Sequence, residues 1–105
     1  MVEREIIEIL KKYVSLLQTE GISIEKSFLY GSYSFGKATD ESDIDLMIVT
    51  DDKNADDDFI VGKIWQLTKK INTKIEPFIV GRNRFDEDDY SSLIAMVKRT
   101  GIRIS

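Results

Sequence analysis

Phe28-Leu29-Tyr30-Gly31-Ser32, then ten residues, then Asp43-Ile44-Asp45-Leu46-Met47-Ile48-Val49-Thr50: this stretch decides how the chain reads. Ile24 to Tyr30 has the composition of a short strand, apolar and aromatic towards its end, and Gly31-Ser32 stops it. Residues 31–42 are too rich in small and polar types for a long helix, which leaves room for one helical turn starting at Ser32. Asp43 to Thr50 is the most strand-like segment, and its latter half is apolar on both faces, as a central strand requires. Side chains alternate along a strand, so Asp43 and Asp45 share one face while Ile44 and Leu46 take the other. Two carboxylates on one face of a central strand repel each other and are costly to desolvate. A divalent cation is the simplest remedy.

The flanks follow from periodicity. Ile6, Ile9, Leu10, Tyr13 and Leu17 predict an amphipathic helix over about residues 3–19. A second helix is expected over 56–71, with Ile60, Ile64, Leu67 and Ile71 on one stripe. Asp56, Asp57 and Asp58 would occupy its first turn, where the helix dipole favours negative charge. Lys74 to Val80 reads as a strand, and Pro77 inside it demands an edge or interrupted strand. The spacing of Tyr90, Leu93, Ile94 and Val97 predicts a last helix over about 87–99, with a short strand possible at 102–104. The expected architecture is one domain, 1–105, of α/β (α+β) class: a small mixed sheet with helices packed on one face.

Composition narrows the chemistry. The 105 residues contain no cysteine and no histidine, which excludes disulfides, thiolate zinc sites, Ser-His-Asp and Cys-His catalysis, and imidazole-ligated metals. What remains for metal binding is carboxylate oxygen, suited to magnesium, manganese or calcium. A net charge of −4 gives no direct nucleic-acid footprint. The opening Met-Val-Glu-Arg-Glu lacks the build of a signal peptide, and no apolar run reaches membrane-spanning length. A soluble, cytoplasmic chain is expected.

Topology then gathers the candidate residues. A short connection makes the first two strands antiparallel, so Gly31-Ser32 falls beside Asp43 and Asp45. The crossover at 56–71 is long enough for a parallel return, which brings the start of the third strand, and Glu76, to the same end. Gly31 allows close backbone approach, Ser32 offers a hydroxyl, and free N–H groups of a helical turn suit an anion. The expected result is a carboxylate metal site with a phosphate cradle. Lys37, Arg82 and Arg84 are candidate clamps for phosphate. Asp51, Asp52 and Asp56 to Asp58 read as loop and helix-start residues, Trp65 as core, and Tyr30 and Tyr33 equally as flanks of the glycine loop or as packing residues.

The Gly31-Ser32 and Asp43-Ile44-Asp45-Leu46 motifs, with Ile75-Glu76-Pro77 on a later strand, resemble the signature of the DNA polymerase β-like nucleotidyltransferase superfamily. Length and layout are similar to its minimal nucleotidyltransferase branch. The resemblance spans about Phe28 to Val80 and implies a palm-like fold. It implies transfer of a nucleoside monophosphate from a nucleoside triphosphate, usually ATP, to a hydroxyl acceptor with two magnesium ions, manganese being a possible substitute. Carried over, Gly31 and Ser32 would hold triphosphate oxygens, with Lys37 beside them. Asp43 and Asp45 would ligate both metals, and Glu76 the catalytic one. Many minimal members carry a basic residue before the loop's second glycine; here Phe35 stands there and Lys37 follows Gly36. The third carboxylate is Glu where polymerases typically have Asp.

The resemblance also implies a partner. Minimal members often accompany an all-helical protein of the HEPN type, as a toxin–antitoxin pair. The rival reading is therefore a catalytically weak or inactive antitoxin that neutralises such a partner by complex formation. A homodimer is the other way to supply an acceptor surface. An aspartyl-phosphate phosphotransferase also uses Asp-x-Asp, but at the carboxyl end of a strand rather than at its start.

Overall fold

The computed structural model describes residues 4–39, 41–88 and 90–105; residue 3, where the first helix was expected to begin, lies outside them. Helix α1, Arg4–Thr19, buries Ile6, Leu10, Tyr13, Val14 and Leu17. Its central anchor is Tyr13, whose hydroxyl donates to the Ile64 carbonyl at 2.6 Å. That bond satisfies a buried polar atom, and burial pushes the phenol well above its ordinary pKa.

Strand β1 (Lys26–Tyr30) runs into a tight helical turn, Gly31–Phe35, and β2 (Ile44–Thr50) follows. Two short helices come next: α2, Asp52–Ala55, and α3, Asp58–Leu67. The helix expected over 56–71 is thus shorter and is preceded by a separate turn. The aspartates are the reason. The Asp51 side chain accepts from Asn54 N at 2.7 Å and starts α2, while Asp57 accepts from Phe59 N at 2.9 Å and starts α3.

Strand β3 (Ile75–Gly81) leads directly into α4 (Arg82–Glu87), and α5 (Ser92–Thr100) and β4 (Ile102–Arg103) complete the described chain. The helix expected over 87–99 therefore starts only at Ser92 and runs to Thr100, and α4, ahead of it, was not expected. Asp88 accepts from Tyr90 N and Ser91 N, and Ser91 accepts from Ile94 N, so the second helix starts late. Tyr90, expected on the apolar face, is 99% exposed.

The sheet order is β3-β2-β1-β4, with β1 antiparallel to β2 and β2 parallel to β3. This is the expected mixed sheet, and Pro77 lies on an outermost strand, as its missing N–H requires. The helices do not keep to one face. Ile44, Leu46 and Ile48 pack with α1 and α3 residues such as Leu10, Leu17 and Ile64. On the opposite face Met47, Val49 and Val80 pack with Phe85 of α4 and with Ile94 and Val97 of α5. Alternation along β2 is the cause: its latter half is apolar on both sides, so both sides need cover. Asp45 and Glu76, the second residues of β2 and β3, break the pattern with acids.

Candidate active site

Register builds the site. Tyr30 of β1 stands opposite Asp45 of β2, and Asp45 opposite Glu76 of β3, so three polar side chains form one row across three strands. Neighbouring strands lie about 4.8 Å apart, a spacing that lets carboxylates on adjacent strands share a ligand. By alternation the row belongs to the face of Met47 and Val49, with Tyr30 packed against their apolar cluster. Asp43 lies two residues before Asp45, at the strand entrance. The entrance is fixed by Ile44 N, which donates to the Lys74 carbonyl at 2.8 Å.

Gly31 follows directly on Tyr30 with φ +77°, in the left-handed region. A Cβ there would overlap the Asp45 carboxylate oxygen Oδ2. Glycine at this position therefore serves two needs at once, the turn and the room for Asp45. The turn closes at Gly36, φ +71°, whose N–H bonds the Ser32 carbonyl, as does Lys37 N at 3.0 Å. Ser32 is exposed and does not cap the turn; the cap position is Tyr30, with no side-chain hydrogen bond. The expected short turn at Gly31-Ser32 thus forms, with Lys37 exposed at its far side.

The electrostatics of the row are those of like charges held together. Burial raises the Asp45 carboxyl above its usual range, and the Asp43 charge adds to this. Glu76 is raised by loss of solvation, then by Asp43 and Asp45, and by a hydrogen bond to Asp43. The Tyr30 phenol is pushed up to about 12, first by burial and then by the charges of Asp45 and Glu76. Among the described residues no three acidic side chains are drawn together closely enough to hold an ion as they stand. The donor set nevertheless fits a hard divalent cation: three carboxylates at one sheet edge, each unfavourable to the next, with a glycine clearing the space around the central one.

Other expected residues fall elsewhere. Arg82 and Arg84 follow β3 at its carboxyl end, six residues or more past Glu76, about 20 Å along an extended strand. Arg82 pairs with Glu25 at 3.2 Å and Arg84 with Asp88 at 3.4 Å, so neither is a phosphate clamp at this site. Trp65, expected in the core, is 45% exposed. For Tyr30, the sequence left packing and a place flanking the glycine loop equally open. Its place beside Asp45 was available from the antiparallel pairing, since it is the last strand residue before Gly31.

The chain matches the family of nucleotidyltransferases described as "Polymerase beta, Nucleotidyltransferase" over residues 4–98. It is 42% identical over 50 residues to a protein of Methanocaldococcus jannaschii named as a protein adenylyltransferase, covering 48% of this chain and 49% of that one. A second protein of that organism with the same kind of name is 32% identical over 79 residues, covering 74% and 76%. The chain thus spans about half the length of the first relative and three quarters of the second. The crystal structure of a Sulfolobus solfataricus protein named as a nucleotidyltransferase shares the fold, with a TM-score of 0.60 at 18% identity over 78% of this chain and 72% of that one. No helix among the described residues is long and apolar enough to cross a membrane. A strand-turn-strand with glycine against an acidic strand entrance, together with the match over nearly the whole length, places the chain in the polymerase β-like nucleotidyltransferase family, of the minimal kind.

Proposed function

We propose that the chain is a single-domain adenylyltransferase that moves AMP from ATP to a hydroxyl on a protein. The observation that carries this reading is the row Tyr30–Asp45–Glu76 with Asp43 at its entrance and Gly31 packed against Asp45. The names of the two archaeal relatives favour ATP as donor and a protein as acceptor.

Asp43, Asp45 and Glu76 would hold two divalent cations, magnesium or manganese. When bound, such ions neutralise phosphate charge and lower the pKa of an attacking hydroxyl. The chain's own residues supply position. Gly31 keeps the backbone clear of the central carboxylate, Ser32 offers its exposed hydroxyl to a phosphate oxygen, and Lys37 adds positive charge on the same loop. Glu76, on the outer strand, orients the acceptor. The acceptor oxygen bonds the α-phosphorus as its bond to the bridging oxygen of the β-phosphate breaks, releasing pyrophosphate and the hydroxyl proton.

The test is a melt and a turnover assay on one variant. Magnesium with ATP should raise the melting temperature of the parent, by mass action on the folded state. Asp45→Asn should fold, lose that rise and release no pyrophosphate. A variant that responds like the parent puts the site elsewhere.

A second reading is a binding role against a helical partner of the HEPN type, as an antitoxin. Phe35 favours it: 52% exposed, it stands where the resemblance to minimal members implies a basic residue. Pyrophosphate release measured with the partner present separates the two.

A further inference from the structure

Two neighbouring groups at the centre of the site each lack what the other has. Among the described residues the half-buried Asp45 carboxylate accepts no hydrogen bond, and the half-buried Tyr30 hydroxyl donates none. Half-buried polar groups ordinarily find a partner. Two other tyrosines do: Tyr13 donates to the Ile64 carbonyl at 2.6 Å, and Tyr33 to that of Thr39 at 3.4 Å. Tyr30 stands directly opposite Asp45 in the antiparallel pair, and alternation puts both side chains on one sheet face. The Cβ atoms of such partners lie about 4.5–5.5 Å apart, within reach of a phenol.

The place of the ring tells from which side the phenol meets the row. Asp43 precedes Asp45 along β2 and is exposed, so that end is the open entrance. Met47 follows Asp45 and is fully buried, and Tyr30 packs against the cluster that holds Met47. The phenol therefore meets Asp45 from the buried side. The charges of Asp45 and Glu76 both reach it, and with burial they keep it protonated, a donor at any ordinary pH. A carboxylate has two oxygens and about four lone-pair sites. A cation arriving from the entrance takes the outward sites, and the inward ones are left for a donor. The apolar cluster uses only the ring of Tyr30, which phenylalanine would supply as well; the hydroxyl has no such use in the fold.

Building on the adenylyl transfer proposed above, we infer that Tyr30 is a positioning residue, whose hydroxyl donates to the inward oxygen of Asp45 and holds that carboxylate towards a divalent cation. Tyr30 acts through Asp45 and touches neither nucleotide nor acceptor. Its two neighbours divide the labour: Gly31 leaves room for the Asp45 oxygen Oδ2, and Tyr30 fixes the direction in which the carboxylate faces. A carboxylate free to swing is a poorer ligand, and losing a hydrogen-bonding partner just outside a metal's own ligands typically costs about 10–100-fold in metal affinity or activity.

The experiment compares the parent with Tyr30→Phe, which keeps the ring, and with Tyr33→Phe as a control hydroxyl. Mn²⁺ is titrated into each, alone and with a non-hydrolysable ATP analogue, and the free ion is counted by electron paramagnetic resonance. Tyr30→Phe should melt within a few degrees of the parent and hold Mn²⁺ about tenfold or more weaker, while Tyr33→Phe matches the parent. Turnover of Tyr30→Phe should fall at low Mg²⁺ and return towards the parent's as Mg²⁺ is raised, a rescue that a structural defect would not show. A second measurement needs no Tyr30 variant. The parent grown on 3-fluorotyrosine gives four fluorine signals, one per tyrosine, and phenylalanine variants of the other three assign that of Tyr30 by elimination. Mg²⁺ without nucleotide should shift that signal. Equal Mn²⁺ affinity in parent and Tyr30→Phe overturns the inference and leaves the transfer reading standing, and so does a Tyr30 signal indifferent to Mg²⁺. A variant that holds Mn²⁺ alone like the parent but the analogue several-fold weaker also overturns it, by making the hydroxyl a nucleotide contact. A parent that holds no Mn²⁺, alone or with the analogue, overturns the metal site of the transfer reading, and this inference with it.

Discussion

The two ends of the β2–β3 pair treat acidic residues in opposite ways. Past the carboxyl ends, Asp51, Asp52, Asp57 and Asp88 have backbone to serve. Asp51 caps α2, Asp52 accepts from Asn83 N at 3.1 Å, and Asp57 caps α3. Asp88 accepts from Ser91 N and Tyr90 N, which holds its carboxyl below the ordinary range. At the amino ends, Asp45 and Glu76 are pushed the other way by lost solvation and by one another's neighbours. The first arrangement stabilises the fold and the second burdens it. The lowered carboxyl of Asp88 and the raised ones of Asp45 and Glu76 thus mark two different uses of an acid, although all stand among many carboxylates in the sequence.

The sharpest way to break this contrast is Glu76→Gln, which keeps shape and removes charge. Turnover should collapse by at least about a hundredfold, while ATP affinity stays within a few-fold, because the other two carboxylates still hold nucleotide and metal. Paired titration and turnover on that variant decide it; turnover near the parent's would remove Glu76 from the site.

A serine pair gives a middle-sized effect. Ser91→Ala deletes a cap, so denaturant melts should show a loss of about 0.5–2 kcal/mol with ATP affinity intact. Ser32→Ala should do the reverse: several-fold weaker ATP binding and an apo melt superimposable on the parent's. Loss of apo stability in Ser32→Ala with unchanged affinity would move Ser32 to the structural side.

The smallest effect concerns pH. Asp45 and Glu76 bind protons more tightly folded than unfolded, so their contribution to stability is fully present below the ordinary carboxylate pKa and is lost as pH rises through the raised values. Asp43→Asn relieves part of that loss. The apo variant should melt a few degrees above the parent near neutral pH, and the gap should close on acidification. A gap that widens in acid contradicts the assigned repulsion.

Most of the sheet was legible because its signals are local. Alternation in 43–50, Pro77 in an outer strand and a crossover long enough for parallel return fixed the order of β1, β2 and β3, and with it the meeting of Gly31, Asp45 and Glu76. Helix limits were less legible, because Asp57 and Ser91 cap more tightly than apolar spacing reveals. Arg82 and Arg84 could be read only as candidates, with a surface place the commoner fate, for a different reason: charge is visible in a sequence, but which end of a strand it reaches depends on where the strand stops. Trp65 was misread because its stripe neighbours Ile64 and Leu67 are buried, and one residue of rotation separates core from solvent.

The parallel pairing of β2 with β3 has a consequence for how the site opens. Asp45 hangs from an inner strand, flanked on both sides, whereas Glu76 hangs from a strand bonded, among the described residues, on one side only. Amides of β2 belong to the last unit of the domain to exchange with solvent, and those of β3 can exchange through a smaller, partial opening. Such an opening carries Glu76 away and leaves Asp45 and Gly31 in place. A ligand that bridges the two carboxylates must close that opening, so bound nucleotide and metal would write their signature in slowed deuterium uptake along residues 75–81 more than anywhere in β2.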